Sequence, residues 1–218
     1  MSRGDVPDDV AAIRGELENF LNKKDAAGRV VGNSKYGVYA FYDYDGEPIY
    51  VGQTVEKLRV RIRRHLTNQR TDAVAMKVLD PFEVAEIEMW PFFDLAPDDA
   101  RATLDAAEFT VYEKVLSESS FRAVLNEKGI PKSKKLKLPP STRSSIIPKG
   151  IYAARKHADV RIARRASTIA ALARVISERS VASGLRRTLL TQARRLEALA
   201  KLRLEETSAN GEQDEELD

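Results

Sequence analysis

Tyr36-Gly-Val-Tyr-Ala-Phe-Tyr, Asp43-Tyr-Asp-Gly-Glu-Pro and Ile49-Tyr-Val-Gly follow one another without a break, from Tyr36 to Gly52. The first and third runs are rich in aromatic and β-branched residues, which suit a pleated, half-buried surface. The middle run is turn chemistry: Asp hydrogen-bonds its own backbone and Gly takes the dihedrals a reversal needs. Together they predict a β-hairpin.

Working outward from the hairpin, Leu58, Ile62 and Leu66 recur every four residues within Val55–Leu66. That spacing predicts a helix with one buried stripe, its other faces crowded by Arg59, Arg61, Arg63, Arg64 and His65. Phe82–Trp90 alternates as a third strand, with Glu83, Glu86 and Glu88 making it look half exposed. Pro97-Asp98-Asp99 is a helix start, Pro near the first helical position and acids in the first turn, and the helix should run to about Glu118. Upstream, Val10, Ile13, Leu17, Phe20 and Leu21 predict an amphipathic helix within Asp8–Asp25, followed by a loop over Gly28–Lys35.

Downstream, Gly129-Ile-Pro-Lys-Ser-Lys-Lys-Leu-Lys-Leu-Pro-Pro is too rich in proline for a long helix and predicts an extended basic arm. Ala-rich helical sequence then runs from Tyr152 to Arg179, pauses at Ser183-Gly184 and resumes from Leu185 to Glu206. Leu185, Leu189, Gln192, Leu196, Leu199 and Arg203 form a side that needs a partner, either the preceding helix or another copy of the chain. The expected fold class is α+β, a three-stranded antiparallel sheet flanked by helices with an Arg-rich helical C-terminal region. The expected divisions are 1–35 (helix and loop), 36–127 (catalytic domain), 128–151 (basic arm), 152–206 (helical DNA-binding or dimerisation region) and 207–218 (acidic disordered tail).

The 218 residues carry a net charge of only +3, but the charge is segregated. Between Arg122 and Arg203 there are 21 Lys and Arg against four Asp and Glu, while Glu205–Asp218 holds seven acids and no base. A basic stretch of this kind suits a polyanion, since each cation that neutralises a phosphate releases counterions. With no cysteine, a disulfide framework and a thiolate zinc site are both excluded. No apolar run approaches the roughly 20 residues of a membrane span. A cytoplasmic address and no membrane partner are the expectations.

Gly37-Val-Tyr39, Tyr50-Val-Gly52-Gln-Thr54 and the helix from Leu58 through Arg61 to His65 resemble the signature of the GIY-YIG nucleases, with Val in the middle of both triplets. Glu113 in Val111-Tyr-Glu-Lys resembles the metal-binding glutamate of that family, and Asn126 in Val124-Leu-Asn resembles its closing asparagine, although the usual proline ahead of it is missing. The resemblance covers roughly Tyr36–Asn126. It implies a metal-dependent endodeoxyribonuclease with Tyr39 as general base, Glu113 as metal ligand, and one Mg²⁺ per site, Mn²⁺ being an alternative.

The chemistry is consistent with those residue types. Tyr39 and Tyr50 on neighbouring strands can share a sheet face, and Arg61 and His65, four apart, share a helix face. A phenol of pKa about 10 is a poor base unless its proton is stabilised elsewhere, so either His65 or a metal-bound hydroxide is expected to assist Tyr39 in taking a proton from water. Tyr50 would orient the water or phosphate, and Arg61 would contact the scissile phosphate. Glu113 supplies a hard oxygen ligand, and Glu108 on the same helix is its rival. Lys132, Lys134, Lys135, Lys137 and Arg143 of the arm, with Arg161, Arg164 and Arg165 of the helices, are the candidate contacts to double-stranded DNA. A site-specific enzyme of restriction or defence type is the leading expectation, with the apolar stripe around Leu185–Leu199 a candidate seam for a homodimer. A structure-specific repair enzyme, a homing-type enzyme and a non-catalytic nucleic-acid-binding module remain open. The target site, any role of base modification and activity on RNA are not legible in the residues.

Overall fold

The hairpin forms where the sequence places it. In the computed structural model, which describes residues 7–67, 80–126, 128–178, 180–181 and 183–215, β1 (Gly37–Tyr42) pairs antiparallel with β2 (Pro48–Thr54). The reversal is built on Asp43, whose carboxylate accepts from the N–H groups of Asp45 and Glu47 at 2.9 and 3.0 Å. Gly46 takes φ +76° there, a conformation that suits glycine.

On its other side β1 pairs with β3 (Glu86–Pro91), which pairs in turn with β4 (Thr142–Ser145), giving the order β2-β1-β3-β4, antiparallel throughout. The sheet therefore has four strands where the sequence predicts three. The extra one is the end of the basic arm, laid down at the edge. Its residues Thr-Arg-Ser-Ser carry no apolar alternation, and what holds them is the β3 ladder together with the buried Ile146 and Ile147 that follow.

Alternation along β1 sends its side chains to two cores. Tyr39 and Phe41 face one side, packed with Ile87 and Met89 against α1 (Asp8–Leu21) and α2 (Leu58–Thr67) through Leu17, Phe20, Leu21, Leu58 and Ile62. Val38, Ala40 and Tyr42 face the other, against α3 (Ala100–Glu118) through Ala100, Leu104, Ala107, Val111 and Val115. The arm folds back along α3: Ile130, Leu136 and Leu138 join this second core, and the Leu136 N–H donates to Thr110 Oγ1 at 3.1 Å.

After β4 come α4 (Lys149–Lys156), α5 (Ala158–Glu178) and α6 (Ser183–Glu215). Helices α5 and α6 pair, Leu185 burying against Leu172 with Ile176, Val181 and Leu189 around them. Of the two partners open to the Leu185 stripe, the preceding helix is the one found. Helix α6 continues to Glu215, past the point at 207 where composition predicts a disordered tail. Thr207 and Ser208 assist, returning their hydroxyls to the carbonyls of Arg203 and Leu204. The ends of two expected elements, Arg179 and residues 216–218, lie outside the described residues. Among the described residues no helix is long and apolar enough to cross a membrane.

Three glutamates expected to be half exposed on the third strand behave differently from one another. Glu86 is half-buried and pairs with Arg143, but Glu83 and Glu88 are buried. Glu88 accepts hydrogen bonds from the hydroxyls of Tyr42 and Ser141 at 2.8 and 2.7 Å. Glu83 faces arginines from α5.

The α5–α6 hairpin is anchored on the β1–β2 turn by a dense set of ion pairs. Arg161 forks onto Asp45 at 2.8 and 2.6 Å, Arg165 reaches Asp43 at 2.6 Å, and Arg195 donates to the carbonyls of Pro48 and Ala123 beside Glu47. Four carboxylates (Asp43, Asp45, Glu47, Glu83) thus meet four guanidiniums (Arg161, Arg164, Arg165, Arg195).

Candidate active site

The candidate residues gather at the β2 edge of the sheet. Tyr39 and Tyr50 fall on the same face, ring centroids 6.2 Å apart, and His65 comes over them from α2, 5.2 Å from the Tyr50 ring. The Tyr39 hydroxyl lies 2.9 Å from His65 Nε2, both groups buried. Gly52, paired with Tyr39 across the ladder, makes this possible. A Cβ at position 52 would stand 2.6 Å from the Tyr39 hydroxyl oxygen and 2.8 Å from the Tyr50 ring, so any side chain there expels the phenol.

Arg61, one turn before His65 on α2, stands beside Tyr39. Burial and the neighbouring Tyr50 push the Tyr39 phenol above its ordinary pKa, while the charge and hydrogen bonding of Arg61 pull it back. Burial, with Arg61 and Arg64 close by, lowers the His65 imidazole to about 4. At neutral pH His65 is therefore uncharged, and in the tautomer that carries its proton on Nδ1 it accepts the Tyr39 hydroxyl hydrogen bond at Nε2.

The carboxylate that joins the cluster is Glu108. Gln53, whose side chain points from β2 to the α3 side, donates its amide Nε2 to Glu108 at 3.2 Å and to Asp105 at 2.6 Å. Burial pushes the Glu108 carboxyl up to about 7; the Gln53 hydrogen bond opposes that rise and Asp105 adds to it. A cleft of about 600 Å³ opens at this point, lined by Gln53, Thr54, Val55, Glu56, Arg61, Arg101 and Asp105.

Glu113, the expected metal ligand, is elsewhere. Five residues beyond Glu108 it is turned by about 140° around the helix, away from the sheet. It lies 3.6 Å from Lys135 of the arm, its side chain 37% exposed. The helical wheel explains the placement. Leu104, Ala107, Val111 and Val115 define the buried stripe of α3; Glu108 flanks it, and Glu113 is nearly opposite.

Asn126 does reach the site, but at the backbone. Its Oδ1 accepts from the Val51 N–H at 3.0 Å and its Nδ2 donates to the Val51 carbonyl at 2.8 Å, which fixes β2 next to Tyr50.

Residues 35–108 match the family model of the GIY-YIG catalytic domain. No curated protein and no solved structure gives a significant match. The GIY-YIG segment begins just ahead of β1 and ends on Glu108, so it spans the two tyrosines, Arg61, His65 and the glutamate that approaches them. A GIY-YIG domain supports nuclease function for this chain. Asp105 on the cleft wall and Glu108 one turn further along α3, both already accepting from Gln53, keep further oxygen lone pairs that could hold a small cation with waters in its remaining positions. Among the described residues no group of three or more His, Asp or Glu is placed to enclose an ion, so the protein offers few ligands.

The candidate DNA contacts divide into two sets. Lys132, Lys134, Lys135 and Lys137 are exposed on the arm. Arg143 lies over the Tyr42 ring, its guanidinium carbon 3.7 Å from the centroid, and pairs with Glu86 at 2.7 Å. Arg161 and Arg165 are buried and bound to carboxylates, and Arg164 lies 3.7 Å from Glu83, so these three serve the docking of α5 rather than a polyanion. Gln53, Asp105 and Arg101 had no individual signal; the spacing of 101, 105 and 108, which places them on one flank of α3, was the one available.

Proposed function

We propose that this chain is a metal-dependent endodeoxyribonuclease, of the site-specific restriction or defence type. The observation that carries the reading is the buried contact between the Tyr39 hydroxyl and a neutral His65, next to a cleft lined by Arg61 and by Gln53, which also holds Glu108. A phenol raised by burial cannot act as a base by itself. Linked to His65, it can take a proton from water while its own proton passes to Nε2.

Arg61 stands on the cleft wall and beside Tyr39, which is itself fully buried. An arriving phosphate draws the guanidinium to its oxygens and opens the path from the cleft to the phenol. Water then forms the new P–O bond as the bond to the leaving oxygen breaks, and Tyr50 orients the attacking water. Glu108 would hold Mg²⁺ or Mn²⁺, whose charge would offset that building up on the phosphoryl and leaving oxygens. Lys132, Lys134, Lys135 and Lys137 run beside the same helix and would hold the duplex by its phosphates.

Plasmid DNA incubated with and without Mg²⁺ tests the proposal. Cleavage that needs the metal and is lost in both Tyr39→Phe and Glu108→Gln is the expected result. Cleavage that survives in both variants, or none from the parent protein with either Mg²⁺ or Mn²⁺, would overturn it. Discrete fragments with a common end sequence would support site specificity, and a smear would count against it.

A further inference from the structure

Arg101 differs from the other arginines around the site. Arg59, Arg63 and Arg64 of α2 each bind an oxygen of Asn22, Glu18 or Glu56. Arg101 is exposed, lines the cleft, and has no hydrogen-bond or ion-pair partner among the described residues. Its place in the first turn of α3 is unfavourable for a cation, because the amide end of a helix carries partial positive charge.

The nearest way to relieve it would be an ion pair with Asp105, one turn further on, the spacing at which such pairs form. That pair is not formed: Asp105 Oδ1 accepts from the Gln53 amide at 2.6 Å, and no Arg101–Asp105 ion pair is present among the described residues. The other acid of the cleft, Glu56, is paired with Arg64 at 2.7 Å. Both acids on the wall are thus occupied, and two guanidiniums, Arg61 and Arg101, face the same opening. A site with its cations unspent and its carboxylates engaged is arranged for an anion.

We infer that Arg101 binds a backbone phosphate of the DNA strand next to the scissile one. The inference rests on the nuclease reading and adds a substrate contact to it. Arg101, Asp105 and Glu108 are seven residues apart end to end on one flank of α3, so Arg101 stands about 10 Å along the helix from Glu108. Phosphates of one strand recur about every 3.4 Å of duplex axis, so Arg101 reaches a phosphate one to three nucleotides from the bond that is cut. Gln53 has a matching positioning part: it turns the Asp105 carboxylate towards β2.

Arg101→Ala, Arg101→Glu and Arg101→Lys, each exposed and safe for folding, test this on the full-length protein. Binding is read by fluorescence anisotropy of a short labelled duplex in EDTA over a series of salt concentrations, and cleavage by kcat and KM with Mg²⁺. The expected result is an affinity loss of about tenfold in Arg101→Ala and more in Arg101→Glu. The salt slope should fall by about 0.9, the value of one lost phosphate contact, and Arg101→Lys should restore the slope. KM should rise with kcat unchanged. An unchanged salt slope in Arg101→Ala and Arg101→Glu overturns the inference, and so does a fall in kcat at constant KM, which would move Arg101 into the chemistry. Failure of the nuclease reading looks different: no cleavage by the parent protein, whatever the state of residue 101.

Discussion

Arginine does opposite work in two parts of this molecule. Below the β1–β2 turn, Arg161, Arg165 and Arg195 are buried and each is met by fixed carboxylates or carbonyls. At the β2 edge, Arg61 is only half-buried, touches a phenol, and faces an open cleft in company with Arg101. The first arrangement supplies each guanidinium with protein oxygens inside the fold and turns it away from any ligand. The second leaves positive charge where a phosphate can enter. A count of basic residues gives both regions the same standing; what separates them is whether the protein supplies the counter-charge itself.

The sharpest way to break that contrast is at the cluster. Tyr39→Phe or Glu108→Gln should lower the cleavage rate by about 10³-fold. Glu113→Ala, on the far side of the same helix, should stay within about twofold. Initial rates on plasmid substrate settle this, and equal losses at 108 and 113 would remove the distinction between the two glutamates.

Next in size is the buried set. Arg165→Met leaves Asp43 without its closest partner, and breaking such a pair from one side costs about 3–5 kcal/mol. Urea unfolding should show a large drop in midpoint. Arg61→Ala should leave the midpoint almost unchanged and abolish cleavage. The opposite pattern, with Arg61 stabilising and Arg165 catalytic, would invert the comparison.

A smaller effect follows from His65. Its folded-state pKa of about 4 lies below the ordinary 6.5, so between those values the unfolded chain binds the proton and the folded one does not. Stability due to His65 is therefore whole above about pH 6.5, falls as the pH is lowered, and is fully lost below about 4, by at most about 3 kcal/mol. His65→Gln should flatten unfolding midpoints measured across that window. Smallest of all, Lys137→Ala on the arm should reduce the salt slope of DNA binding by about 0.9 and leave kcat as it was.

Much of the catalytic half could be read from the residues, because its signals are local. The alternation around Tyr39 and Tyr50, the Asp43–Gly46 turn and the four-residue spacing of Leu58, Ile62 and Leu66 are each short patterns fixed by strand or helix geometry. Glu108 and Glu113 were separable only by asking which lies beside the buried stripe of α3, a question about packing. β4 left no mark in the sequence, since an edge strand of four polar residues needs only backbone partners. The fate of Arg161 and Arg165 was equally hidden: Asp43, which neutralises Arg165, is 122 residues away in the chain. A charge pattern read along the sequence cannot anticipate a counter-charge supplied from that distance.

The pairing of Asn126 with Val51 has an effect beyond holding one residue in place. β2 is an outer strand, and outer strands offer bare amide and carbonyl groups that invite a neighbouring chain to extend the sheet. A side-chain carboxamide that donates and accepts in the manner of a peptide bond ends the ladder there. Copies of the protein crowded along a polymer would thus be discouraged from zipping together through the very strand that carries Tyr50 and Gln53.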